Sequence, residues 1–131
     1  ERAYADTWGM LASTTDLRLF IDAGARVLLS PHLRYHTQGA VRFWQRAYTA
    51  GVSPDDGNLI VPAWRTGDRE LSALQTVTFG ATARVQMGSD PRTPVYLALL
   101  VAGGYTSYPD VLYIIERWSV LSSLTLSAEW R

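Results

Sequence analysis

The chain contains no lysine and no cysteine. Twelve arginines carry all of its basic charge apart from two histidines, and twelve acidic residues balance them to a formal net charge of zero. Without cysteine there is no disulfide framework and no thiolate metal site, and the redox compartment stays open. Without a basic surplus the chain lacks the electrostatic footprint of a nucleic-acid binder, so no nucleic-acid partner is expected. Arginine without lysine is unusual for a soluble surface, although a GC-rich genome produces the same skew. A long apolar run is also missing: the longest, VYLALLVAGGY at 95–105, falls well short of the ~20 residues of a membrane helix. If the chain crosses a bilayer, it does so with strands. No secretory leader is visible in the opening ERAYADTW, as in a mature or truncated chain. The length, 131 residues, suffices for one domain with a core of its own.

What the sequence does have is alternation. In LSALQTVTFGATARVQMG (71–88), Val77, Phe79, Ala81, Ala83 and Val85 fall on one parity, and Thr76, Thr78, Gly80, Thr82 and Arg84 on the other. Side chains on a strand point to opposite faces with period two, so 71–87 reads as a long strand with one apolar and one polar face. The same pattern recurs at 15–23, with Leu17, Leu19 and Ile21 against Asp16, Arg18 and Asp22, and at 25–38, with Val27, Leu29, Leu33 and Tyr35 against Arg26, His32, Arg34 and His36. It recurs at 118–130, with Trp118, Val120, Leu124, Leu126 and Trp130 against Ser119, Ser123, Thr125 and Glu129. Residues 94–108 read as a strand with no clear polar face, and YADTWGM (4–10) as one of ambiguous parity. Gly24 in AlaGlyAla marks a tight turn. Pro31 removes a ladder hydrogen bond and predicts an edge or a bulge, and Gly103-Gly104 predicts a kink or bulge. Segment 39–70 is a long loop, of a length that is usually functional. The fold expected is all-β: an antiparallel meander of about six long strands.

Whether the apolar face points into a core or into lipid is the central question. The alternating segments are far longer than the roughly 5–6 residues of an ordinary strand and suit the ~9–11 residues, plus extensions, of a tilted membrane strand. Tyr35, Trp118 and Trp130 stand at the ends of apolar faces, where interfacial girdles lie. Charge sits in mid-strand on the polar faces, as at Arg34 and Arg84, which a wet lumen accommodates. With the AlaGlyAla and GSDPRTP turns on the periplasmic side, loop 39–70 is extracellular. The reading is part of a transmembrane β-barrel in the bacterial outer membrane, with Val77, Phe79, Val85, Leu124 and Leu126 on lipid. Six strands leave open edges, which hydrocarbon does not tolerate. The remaining strands are therefore expected from a longer barrel, of which this is the C-terminal part, or from partner subunits.

PHLRYHTQGAVRFW (31–44) followed by RELSALQTVTFGATARVQMG (69–88) resembles the last strands of a bacterial outer-membrane family of uncharacterised function, the DUF3570 group. YADTWGM followed by TTDLRLFID resembles the segment that precede those strands there. The chain departs from the family pattern at His36, where the family carries tyrosine, and at Gly39-Ala40-Val41. SSLTLSAEW also resembles the alternating, aromatic-terminated tail of outer-membrane proteins, except that Arg131 follows the aromatic. The resemblance implies a barrel and carries no catalytic signature.

Candidate sites follow from parity. Arg18, Arg26, His32, Arg34, His36 and Arg84 form a lumen-facing row with Asp16, Asp22 and Glu129. That is either a weakly positive lining that suits anions or a self-paired ionic plug. His32 and His36, on one strand, are roughly 13 Å apart and cannot share one ion; no metal or other cofactor is expected. Asp55-Asp56 in PDDGN is turn chemistry. Trp44, Tyr48 and Trp64 either bind a ligand or partner at the extracellular mouth or fold the loop onto itself. No G-x-S-x-G, P-loop or G-x-G-x-x-G motif occurs, and no enzyme is expected. The role expected is structural, scaffolding or passive transport. The rival readings are a small soluble antiparallel barrel binding an apolar ligand, which predicts shorter strands and surface lysine, and a subunit that donates strands to a larger assembly.

Overall fold

The computed structural model describes residues 1–88 and 93–128. Its strands are β1 (Arg2–Ala5), β2 (Leu11–Arg18), β3 (Ile21–Asp22), β4 (Val27–Gln38), β5 (Gly51–Val52), β6 (Leu59–Ile60), β7 (Leu74–Gln86), β8 (Val95–Ser107) and β9 (Glu116–Ala128). One antiparallel sheet runs β1-β2-β4-β7-β8-β9, with β3 also on β4, and β5–β6 form a separate hairpin. The fold is thus all-β and a meander, and the sheet is not closed among the described residues.

Arg18 pairs His32 and Ile21 pairs Leu29, so β3 continues β2 in the same register. The interruption lies at Pro31. Leu19 donates its N–H to the Pro31 carbonyl at 3.0 Å, but proline has no N–H to return. Pro31 therefore sits inside a central strand rather than at an edge or bulge, and one missing hydrogen bond breaks the ladder beside it. With β2 and β3 taken together the path has six strands, as the alternation predicts. The AlaGlyAla turn closes with Ala23 N–H on Val27 O at 2.9 Å, and Gly24 has φ 118°, where a side chain would be strained.

Two local readings change. Of YADTWGM (4–10) only Tyr4 and Ala5 are strand, as the end of β1. Asp6 then turns the chain: its Oδ1 accepts the N–H groups of Trp8 and Met10, both at 2.9 Å. Gly9 takes φ 84°. Gly103-Gly104 makes no bulge, because Phe79 pairs Gly103 and Thr78 pairs Gly104 in unbroken register. A Cβ on Gly103 would stand 3.0 Å from the Phe79 ring, and one on Gly104 only 2.6 Å from Ser119 Oγ. These glycines make room for cross-strand neighbours.

The register decides the faces. Tyr35, Val77, Tyr105 and Trp118 lie side by side across four strands, as do Leu29, Ala83, Leu99 and Leu124. β8 is resolved by its partners: Leu97, Leu99, Val101 and Tyr105 join the apolar face, and Ala98, Ala102, Gly104 and Thr106 the polar one. The apolar face is the exposed one. Phe79, Leu99 and Val101 are 52%, 47% and 49% exposed, whereas Ala102 and Thr106 of the opposite face are 8% and 4%. The buried apolar side chains are Val41, Leu74, Ala102 and Tyr108, with Leu74 and Tyr108 at the end of the sheet that bears the long loop. Trp130 and Glu129, and the middle of the GSDPRTP turn, lie outside the described residues.

The polar face is the more crowded side of the sheet. A Cβ on Gly80 would meet Val101 O at 2.6 Å, Ala102 Cβ at 2.7 Å and His32 Cε1 at 2.8 Å. Gly80→Val is therefore expected to lower stability by about 1–3 kcal/mol despite valine's strand preference. Ala81→Val, one residue away on the open face, should change it by less than about 0.5 kcal/mol. Denaturant midpoints of the two variants check this, and equal shifts would place the crowding elsewhere.

Candidate functional site

The polar face is organised in rows set by strand pairing. One row holds Arg2, Thr14, His36, Thr76, Thr106 and Arg117; the next holds Asp16, Arg34, Thr78, Gly104 and Ser119. In the first, His36 Nδ1 lies 2.8 Å from Thr14 Oγ1, and the hydroxyls of Thr76 and Thr106 are 3.0 Å apart. These are polar cross-strand links. Further along the face, Arg18 stands opposite His32, whose ring edge fills the space over Gly80. The Arg84 guanidinium packs 3.8 Å from the centre of the Tyr96 ring, a close cation–π contact. Arg26 and Arg84 share a groove with Asp22, Gln86 and Tyr96.

The sequence-predicted row Arg18, Arg26, His32, Arg34, His36 and Arg84 thus falls along one face. Among the described residues, no ion pair joins Arg18, Arg26 or Arg34 to Asp16 or Asp22. Asp16 is directly opposite Arg34 without forming an ion pair, and the two line an open groove of about 280 Å³ with Arg2 and Thr14. Ion pairs between described residues occur instead at the loop end: Arg46 with Asp110, and Arg69 and Arg117 with Glu70. Among the described residues no group of three or more His, Cys, Asp or Glu converges as a metal site would.

The long loop separates the aromatics that the sequence suggested as one cluster. Trp44 and Tyr48 hold the loop together. Trp44 bridges Thr66, and the single hydroxyl hydrogen of Tyr48 is shared between the carbonyls of Phe43 and Thr66 (the latter at 2.9 Å) while its oxygen accepts the Thr66 N–H at 2.7 Å. Trp64 instead joins Phe43 (centroids 6.1 Å) and, through it, Trp8 (5.9 Å, edge to face). With Arg42 these rings line an open groove of about 390 Å³. In the β5–β6 hairpin, Asp56 accepts from Asn58 N–H at 3.1 Å. Hydrogen bonds from Ser53 and then Asn58 hold its carboxyl below the usual carboxylate value, as turn chemistry requires.

Glu70 has no signal in the sequence, yet it joins three side chains at the loop end. Its Oε1 accepts the Tyr108 O–H at 2.9 Å and Arg117 Nη1 at 3.0 Å, with Arg69 Nε at 3.6 Å. Asp68 positions it by accepting the Glu70 N–H at 3.0 Å at the head of a single 3-10 turn, Arg69–Leu71. Burial, followed by the hydrogen bond to Glu70, pushes the Tyr108 hydroxyl pKa up, opposed by Arg117 and Arg69.

Removing the Tyr48 hydroxyl leaves the Thr66 N–H without its acceptor, which costs about 1–3 kcal/mol. In Tyr48→Phe, hydrogen exchange at Thr66 should accelerate by about ten-fold or more, while amides in β7 and β8 keep their rates. Unchanged exchange at Thr66 would mean the loop is held by other contacts.

No curated protein and no solved structure matches the chain. A family model described as Protein of unknown function (DUF3570) matches residues 2–99, from β1 into β8. The matched segment contains the turn at Asp6, the Pro31 strand, Glu70 and the whole of β7, and it spans well over half of the sequence; the chain belongs to the DUF3570 family.

Proposed function

We propose that this sheet is one wall of a bacterial outer-membrane β-barrel, with its apolar face on lipid and its polar face lining the interior, and that its role is scaffolding or passive transport rather than catalysis. The observation that carries the reading is the composition and exposure of a single face. From Leu17 through Leu33, Phe79, Val101, Val120 and Leu126, aligned across the strands by register, it carries no charged residue short of Glu116 at its rim. A contiguous apolar patch of this extent is not sustained in water by a monomer.

Strand length supports the same reading. β7, β8 and β9 have 13 residues each and β4 has 12, and 13 residues reach roughly 43 Å at the usual strand rise. At a tilt of about 45° that projects to roughly 30 Å, the hydrocarbon thickness. Tyr105 and Trp118, with ring centroids 4.8 Å apart, stand on the apolar face near the loop end, the position of an interfacial girdle. The soluble rival needs its apolar face turned inward around a ligand. Here the apolar side is the open side and the polar side the crowded one, which counts against it. The edges of β1 and β9 are the sites at which the remaining strands of the barrel join.

Phe79 sits near the middle of β7 on the apolar face, and Thr82 on the polar face opposite Ser30 and Leu100. Phe79→Arg should destabilise the native protein folded into phospholipid vesicles by about 2–4 kcal/mol, and Thr82→Arg by far less. Thr82 is the better control than Thr78, which faces Arg34. Urea titration in vesicles measures both, and equal tolerance would sink the assignment of lipid to this face.

A further inference from the structure

The root of the β4–β7 connection turns inward. Gln38, Leu74 and Thr106 belong to the polar face by register, and Leu74 and Thr106 are buried there with Val41, Ser72 and Tyr108. The chain leaving β4 is tied to the chain entering β7 by Val41 N–H on Leu71 O at 3.0 Å. On the near side, Gln38 Nε2 donates to the carbonyls of Glu70 (2.9 Å) and Ser72 (3.2 Å). On the far side, Glu70 reaches Tyr108 beyond β8 and Arg117 in β9. Backbone from 69–73 is thereby held across the end of the polar face, anchored to strands on both flanks. The loop's tip is different: Val52, Leu59 and Trp64 are exposed.

We propose that this root segment is a strap closing one end of the polar face, and that Glu70 is the latch that holds it to Tyr108 and Arg117. The near-side anchor is made by a neutral side chain to backbone. The far-side anchor is a carboxylate with a hydroxyl and a guanidinium, a charge-assisted arrangement that is the stronger of the two per bond. Removing the far-side partners frees the strap to swing about its Gln38 side and opens the polar face to solutes. The solute-access half of the inference rests on the barrel reading above; the latch itself does not.

The test separates the two. In the native, membrane-assembled protein, Tyr108→Phe combined with Arg117→Gln leaves the cleavage sequences after Arg65 and Arg69 intact. Trypsin should cut there roughly ten-fold faster than in the parent, with Tyr108→Phe alone intermediate; unaltered rates would overturn the latch. Tyr108→Phe removes a single oxygen, so it stays informative if the double variant fails to fold. Vesicles carrying each protein are then swollen in an isotonic pentose. Faster swelling in the variants supports a strap over the mouth. Swelling by the parent that no variant increases would overturn the closing role. No swelling by any of them would remove passive transport from the reading above, and the trypsin rates would then decide the latch alone.

Discussion

Cross-strand register is the constraint on which the rest of the structure depends. Each strand carries its own alternation, and a two-residue period can be satisfied in two ways, since a slip of one residue exchanges every side chain between faces. The observed pairing aligns the parities of all the strands: Leu33 with Phe79, Ala83 with Leu99, Leu97 with Leu126. One slip between β7 and β8 would bring Leu97, Leu99 and Val101 onto the side of Arg84 and Thr78. The penalty is spread over 13-residue strands, so the register is strongly specified even though few side chains are buried.

That alignment creates asymmetry between the two sides. The apolar face has large, diverging side chains and the polar face has glycine, alanine, serine and threonine between its arginines. Glycine at 80 and 104 gives His32 and Ser119 room to lean across neighbouring strands. Arginine suits this setting because its long stem packs along apolar surface while the guanidinium stays solvated or stacks, as Arg84 does on Tyr96. Pro31 fits the same logic. By parity Pro31 falls on the apolar face with Leu29 and Leu33, and the missing N–H costs a single rung from β4 to Leu19, where β2 passes into β3, rather than the ladder to β7, which is continuous from Val27 to Gln38.

The strands and their faces were legible because period-two alternation is local information. The sequence also read Gly24 and PDDGN correctly as turns, for each announces its backbone need within a few residues. It misread Asp6-Thr7-Trp8-Gly9 as strand, though an Asp three residues before a Gly is itself a turn signal that alternation on either side obscured. β8 lacked a visible polar face because Ala98, Ala102 and Gly104 are small rather than polar; only their cross-strand partners reveal which side is inner. The Glu70 cluster was illegible for a different reason. Glu70 meets Tyr108 across 38 residues and Arg117 across 47, and nothing local marks any of them. Shared aromaticity likewise did not announce that Tyr48 would bond to Thr66 while Trp64 meets Phe43.

Exposure of the apolar face and openness of the sheet are linked physically. β9 is exposed along its whole length, and its outer edge offers a row of backbone donors and acceptors. In water such an edge is solvated, but the apolar face is then hydrated at a cost. In hydrocarbon the apolar face is satisfied, but each unpaired backbone group costs several kcal/mol. No single environment therefore suits this sheet by itself. If the apolar face meets lipid, the edges of β1 and β9 must meet other strands, and the polar face then encloses an interior. On that reading the root of the β4–β7 connection turns toward the interior it would close, while the tip, with Val52, Leu59 and Trp64 exposed, rises into water. The burial of Val41, Ser72, Leu74 and Tyr108 at that end of the sheet fits the proposed strap over such an interior.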